Sequence, residues 1–159
     1  MARTDFRHKV PLRVRWAEVD SQSVVFNGHY LLYADVCVTE YWRTIGLRYP
    51  DRLEGGVDLY VVKSTVEYHM SARYDDELEL CGRIARIGRT SLQFLIEMHR
   101  GADHVASAEL IYVSTDMGTR QPVPVPAVMR DRIAAYEILP PVAASSSHAA
   151  SSNTGGPHA

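Results

Sequence analysis

Between Asn27 and Gly46 the chain carries one long helical pattern, and the segment after it is almost entirely strand. Leu31, Ala34, Val38, Tyr41, Trp42 and Ile45 recur at spacings of three and four. Leu32, Tyr33, Val36 and Cys37 make the other side apolar as well, so the helix is expected to be buried rather than to lie on a surface. Asn27 stands where an N-cap side chain would accept an orphan N–H, and Gly46 stands where the helix stops. A buried helix needs a surface that wraps it, which the rest of the chain has to provide.

The flanking segments supply that surface. His8 to Trp16 alternates, with Val10, Leu12, Val14 and Trp16 on one parity and Lys9, Arg13 and Arg15 on the other. Beyond a polar loop at 48–56 come Val57 to Met70, Leu78 to Ile87, Ser91 to Arg100 and His104 to Thr115, all strand-like, with Gly101-Ala102-Asp103 as a hairpin connection. Pro122, Pro124 and Pro126 end the sheet, and Val128 to Tyr136 is a short amphipathic helix. This order predicts an α+β fold: five largely antiparallel strands wrapped around one long central helix, the hotdog arrangement, with a short C-terminal helix. One such sheet exposes an edge strand, which a second copy would cover. Residues 1–139 are expected to form the single domain. Residues 140–159, rich in Ala, Ser and Gly with no large apolar side chain beyond Val142, are expected to be a disordered tail.

Composition narrows the function. At 159 residues and 46% hydrophobic the chain suits one globular core. Its 17 basic residues against 19 acidic ones lack the surplus that a nucleic-acid or anionic-membrane binder needs. No apolar run reaches the roughly 20 residues of a membrane span. The charged N-terminus has no apolar stretch behind it, so no secretory signal is expected. Cys37 and Cys81, without a C-x-x-C spacing, read as buried reduced thiols, and the expected compartment is the cytoplasm.

The chemistry concentrates between Asp20 and Tyr30. A carboxylate is followed by the apolar link Val24-Val25-Phe26 and then by Asn27-Gly28-His29-Tyr30 at the helix start. A helix N-terminus has unpaired N–H groups and a dipole that favours negative charge, so it can hold a developing oxyanion. Gly28 would let a ligand come close to the backbone. Asp20 folded back beside that turn could attack a carbonyl or activate a water. The plainer alternative is that Asp20 caps a turn and Asn27 caps the helix. Elsewhere, His99 and His104 flank the hairpin with no carboxylate or Cys expected to complete a metal set. Ser64 and Ser107 lack His and Asp at recognisable offsets, and Asp75-Asp76-Glu77 reads as a solvated turn.

The segment from Trp16 to Leu31 resembles the signature of the 4-hydroxybenzoyl-CoA thioesterase-like hotdog family: acidic residues, a small-residue link, Val-Val-aromatic, then a polar stretch ending in Tyr. Within the family it is most similar to the small bacterial acyl-CoA thioesterases associated with the Tol–Pal cluster. The likeness continues through Val61-Val62-Lys63-Ser64, Val66-Glu67-Tyr68 and Ala72-Arg73-Tyr74-Asp75-Asp76. It implies hydrolysis of an acyl-CoA or acyl-carrier thioester by a homodimer, paired again into a dimer of dimers, with no cofactor beyond the coenzyme A of the substrate and no metal. By matching position it makes Asp20 the nucleophile or general base and puts the oxyanion site at the backbone of Asn27 and Gly28. It suggests an acyl pocket from Tyr30, Tyr33, Val61 and Ser64, for which ordinary core packing is the plainer alternative, with His29 lining the substrate or packing the helix. It also suggests CoA contacts from Arg86, Gly88, Arg89, Ser91 and Arg120, whose arginines could equally be solvated strand-end residues. Two positions depart from the pattern: Ser23 replaces the usual Gly before Val-Val, and Asn27 stands where many relatives carry His. The alternatives are a non-catalytic acyl-thioester-binding module and a hotdog hydratase or dehydratase, whose sites set Asp and His closer together than Asp20 and His29 lie.

Overall fold

The structure, a computed structural model, describes residues 2–47 and 56–143. The elements run β1 (His8–Arg13), α1 (His29–Thr44), β2 (Val57–Tyr68), β3 (Glu77–Ile87), β4 (Ser91–Arg100), β5 (Asp103–Asp116), α2 (Ala127–Tyr136) and β6 (Val142–Ala143). The sheet order is β1-β3-β4-β5-β2, with every neighbouring pair antiparallel. The α+β arrangement expected from the pattern is therefore present. The inner sheet face is built from alternate residues: Leu78, Leu80 and Ile84 on β3, Leu92, Phe94, Ile96 and Met98 on β4, and Ala106, Ala108 and Leu110 on β5 are all buried.

Helix α1 lies on that face through Tyr30, Tyr33, Ala34, Cys37, Val38, Tyr41 and Trp42. Close approach to β3 depends on Gly82, where an added Cβ would lie 2.6 Å from Cys37 Sγ and 2.9 Å from Phe94 Cε1. The helix stops as expected at Gly46, whose φ of +78° is easily reached only without a side chain. There Leu47 N–H donates to Trp42 O (2.8 Å) and Gly46 N–H to Arg43 O (3.1 Å), a Schellman closure.

Four expectations change. First, α1 is not covered all round: Leu31, Leu32 and Val36 are exposed in the single chain, with Leu32 at 57%. Second, β1 ends at Arg13, and Trp16, expected on the buried parity, is exposed. A 3-10 turn over Trp16–Glu18 breaks the alternation, because Glu18 N–H bonds back to Arg15 O. Third, Asn27 does not cap the helix with its side chain; Gly28 holds the cap position without a side-chain bond. Backbone carbonyls take that work, with His29 N–H donating to Phe26 O and Tyr30 N–H to Asn27 O. Fourth, order continues past residue 139, since Val142–Ala143 pairs in parallel with Arg86–Ile87. The remainder of the expected tail, 144–159, and most of the loop at 48–56 lie outside the described residues.

Candidate active site

The segment from Glu18 to Phe26 folds as a miniature hairpin. Phe26 N–H donates to Glu18 O, Asp20 N–H to Val24 O and Ser23 N–H to Asp20 O, each at 2.9 Å. Ser23 sits at φ +60°, a left-handed conformation that favours Gly, which gives the small-residue link its physical reason. Val25 N–H bonds Ala72 O and clamps the hairpin to the segment after β2.

Beneath the hairpin lies Glu18, 3% exposed. It accepts from Arg15 N–H (2.8 Å), Arg15 Nε (2.8 Å) and the Tyr33 hydroxyl (2.8 Å). Burial pushes its carboxyl up, and the Arg15 and Tyr33 hydrogen bonds outweigh that effect, holding it below the ordinary range. Burial, with Glu18 alongside, pushes the Tyr33 hydroxyl far above its usual value, so it remains a donor. The sequence reading gave Tyr33 to the acyl pocket; the structure puts it fully buried against Glu18 and outside the cavity lining.

Asp20 and the start of α1 meet at one cavity of about 350 Å³. One wall is Asp20, Val24, Val25, Phe26, Asn27 and Tyr30; the other is the end of β2 and its continuation, Tyr68, His69, Met70 and Ser71. Asp20 Oδ1 accepts from Gln22 N–H at 2.8 Å, so the residue does cap a turn, yet Oδ2 has no partner among the described residues. The backbone N–H groups of Asn27 and Gly28 likewise reach no acceptor among the described residues. Tyr68 OH donates to Asn27 O (3.2 Å), and Tyr30 OH accepts from Ala72 N–H (3.2 Å). Gly28 does not line the cavity; Phe26 covers it, and a Cβ there would meet Phe26 Cε1 at 3.0 Å.

The other expected residues are dispersed. His29 packs edge-on to Phe26 and leaves its buried Nδ1 without a partner. Val61 and Ser64 lie exposed on the edge strand β2, away from the cavity within one chain. Arg86 and Ser91 share a depression of about 320 Å³ with Leu92, Gln93 and Ile111. Gly88 is buried, its N–H donating to Ser91 O and its carbonyl accepting from Arg130. Arg89 is exposed beside it, whereas Arg120 stands at a separate turn after β5, at φ +57°.

One further expectation is corrected. Glu97 does reach the histidine pair: ligand atoms of Glu97, His99 and His104 lie within 4.8 Å of one another. Ser107 lies beside two histidines, with His104 Nε2 at 3.0 Å and His69 Nε2 at 3.1 Å. Glu97 and His99 are alternate residues of β4, and His104 lies three before Ser107 on β5. The His99–His104 and His69–Ser107 contacts, however, join different parts of the chain, and the slip between Met98 and His99 that turns His104 toward Ser107 leaves no mark in linear spacing. Of the cavity residues the sequence reading missed, Tyr68 had a signal, as part of the Val66-Glu67-Tyr68 motif; His69, Met70 and Ser71 had none.

Asp20 and Asn27, a carboxylate and a residue whose backbone N–H has no acceptor among the described residues, thus line one cavity. The arrangement suits acyl-group hydrolysis, and comparison with known proteins points the same way. The acyl-CoA thioesterase YbgC of Haemophilus influenzae is 26% identical over 117 residues, covering 73% of this chain and 86% of that protein. The acyl-CoA thioester hydrolase YbgC of Escherichia coli O6:H1 is 30% identical over 107 residues, covering 67% and 80%. The crystal structure of a thioesterase complexed with coenzyme A and Zn from Thermus thermophilus superposes with a TM-score of 0.74 at 27% identity, covering 86% of this chain and 98% of that one. Residues 14–133, which run from the end of β1 into α2 and hold the whole Asp20 cavity, match the Thioesterase-like superfamily, and the chain belongs to it.

Proposed function

We propose that this protein is an acyl-CoA thioesterase in which Asp20 is the catalytic carboxylate. The observation that carries the reading is the shared cavity, which brings Asp20, whose Oδ2 has no partner among the described residues, and the start of α1 around one space. The thioester carbonyl would sit with its oxygen toward the N–H of Asn27, and toward that of Gly28 once the Phe26 ring turns aside. One such donor is worth roughly 3 to 4 kcal/mol to the transition state. Asp20 either adds to the carbonyl carbon, giving an acyl-carboxylate that water then opens, or takes a proton from the water that adds. In both routes the C–S bond breaks and the thiol leaves with one proton. Arg86 and Arg89, with Arg120 further off, are our candidates for the CoA phosphates, since guanidinium pairs bidentately with phosphate oxygens.

The working unit in this reading is a homodimer joined along β2. Strand β2 is an edge with Tyr60, Val61 and Val62 exposed, and the uncovered Leu31, Leu32 and Val36 of α1 offer further apolar surface. An antiparallel β2–β2 pair centred near Ser64 would set the two Ser64 residues opposite each other and bring Val61 of one copy opposite Glu67 of the other, next to Tyr68 at the rim of the Asp20 cavity. That restores Val61 to the acyl pocket and leaves Ser64 at the two-fold axis, and two such dimers would form the tetramer. Both cysteines are free and buried, and no helix among the described residues is long and apolar enough to cross a membrane, in keeping with a cytoplasmic placement.

The test is thiol release over a panel of aliphatic and aromatic acyl-CoAs. At least one should be turned over, and Asp20→Asn should lose a hundredfold or more with an unchanged circular dichroism spectrum. Saturable binding without thiol release would instead establish a binding module. Label in the Asp20 carboxylate after a single turnover in ¹⁸O water would establish Asp20 as the nucleophile, since only water that opens the acyl-carboxylate at the Asp20 carbon puts it there.

A further inference from the structure

On the outer face of the sheet, where β4 turns into β5, a polar cluster stands that the proposed hydrolysis does not use. Glu97 and His99 are alternate residues of β4, and His99 pairs directly with His104 on β5. Strict alternation would not put His104 on the same face as Ser107. The pairing slips between Met98 and His99, so that Met98 faces Ala106 while His99 faces His104, and Val105 is the extra residue. Val105 and Ala106 are both buried, and the carbonyl of Val105 accepts from His69 N–H (2.9 Å) and Met70 N–H (3.0 Å). This bulge re-aims His104 outward beside His99 and Glu97.

The cluster is tight and half enclosed. Glu97 Oε2 lies 3.0 Å from His99 Nε2, and the two side chains are 13% and 9% exposed. The His99 and His104 rings stack at 4.7 Å, and the His69 ring lies 4.4 Å from that of His104. Ser107 Oγ, in reach of His104 Nε2 and His69 Nε2, fixes the orientation of both rings. Fixing a ring through its hydrogen bonds is the usual way histidine ligands are held for a metal.

We infer that Glu97, His99 and His104 form a binding site for a divalent transition cation of the Zn²⁺ type, on the opposite side of the sheet from α1. One carboxylate oxygen and two imidazole nitrogens within 4.8 Å of one another make a three-ligand set. Zinc bound by nitrogen and oxygen at about 2.0–2.2 Å sets its ligand atoms about 3.5 Å apart, so the 3.0 Å Glu97–His99 contact would open and the wider separations, up to 4.8 Å, would close by about 1 Å. Two imidazoles select a borderline cation over Mg²⁺ or Ca²⁺, which prefer all-oxygen shells. Bound there, the ion would cross-link β4 to β5 at the hairpin base. His69 ties that base to the Asp20 cavity, which it also lines.

The inference is tested on the full chain, stripped with chelator and titrated with ZnCl₂ by calorimetry, with metal content measured after dialysis. One Zn²⁺ per chain is expected, together with a rise in Tm. Glu97→Gln and His104→Gln should each weaken binding at least tenfold, whereas Asp20→Asn and the tail pair His148→Gln/His158→Gln should leave it unchanged. Co²⁺ in place of Zn²⁺ should show the visible absorption of low coordination number. Circular dichroism in chelator establishes that the variants fold, and Glu97→Gln, whose shape is conserved, carries the test should His104→Gln unfold. No uptake by the wild-type chain, binding unchanged in both site variants, or binding lost with the tail histidines would overturn the inference. None of these outcomes bears on thiol release, so the thioesterase reading stands or falls separately.

Discussion

The hydroxyl of Tyr33 donates to the carboxylate of Glu18 across 2.8 Å, both side chains being buried, and this bond ties the central helix to the loop that carries Asp20. Asp20 lies two residues beyond Glu18 on the same miniature hairpin. The position of Asp20 beside the start of α1 is therefore set by a second, buried carboxylate.

Tyr33→Phe leaves Glu18 one donor short, and a buried acceptor that loses a partner costs about 1–3 kcal/mol. Urea denaturation at neutral pH should show that loss. The pH dependence follows from the lowered Glu18 carboxyl. A group whose folded pKa lies below its unfolded value contributes stability above the unfolded pKa and loses it as pH falls through the folded one. Wild-type stability should therefore fall on acidification through and below the ordinary carboxylate range, and Glu18→Gln should flatten that limb. An acid limb of equal slope in the variant would reject the assignment.

Gly82→Ala places a methyl group 2.6 Å from Cys37 Sγ and 2.9 Å from Phe94 Cε1 at the helix–sheet contact. Overpacking of this kind costs about 1–3 kcal/mol. Cys37→Ala in the same chain removes the nearer clash, so the double variant should recover part of the loss. Simple additivity of the two single changes would show that the helix had moved away instead.

Replacement of Arg86 and Arg89 by Gln should raise KM for an acyl-CoA several-fold while leaving kcat nearly unchanged. The same acyl group on N-acetylcysteamine, which lacks the nucleotide, should show no such rise. Arg120→Gln, at its separate turn, is expected to have the smallest effect of the three. Equal effects on both substrates would remove the arginines from the CoA site.

Val62 is 59% exposed at the centre of the β2 edge. Val62→Lys puts a charge on that edge and should lower the molecular mass seen by light scattering, with activity falling alongside it if the site is completed by a second copy. A monomeric variant with full activity would show that one chain holds the whole site.

How much was legible in the sequence depends on which interactions are local. The three-and-four spacing marked α1 to within two residues at each end, and alternation located four long strands, because each pattern reports its own backbone period. Asp20 and the Asn27 turn were legible as a motif, since both fall within one short stretch of chain. The 3-10 turn at Trp16–Glu18, the uncapped start of α1 and the burial of Tyr33 against Glu18 were not, because each depends on what packs above it. The far wall of the cavity comes from the end of β2, and the Glu97, His99, His104 and Ser107 cluster from a bulge that turns one histidine over. By itself, then, the sequence determined the elements, their order and the carboxylate. Tertiary structure alone decided which side chains share a cavity or a face, because sheet register and bulges bring together residues that no linear spacing relates.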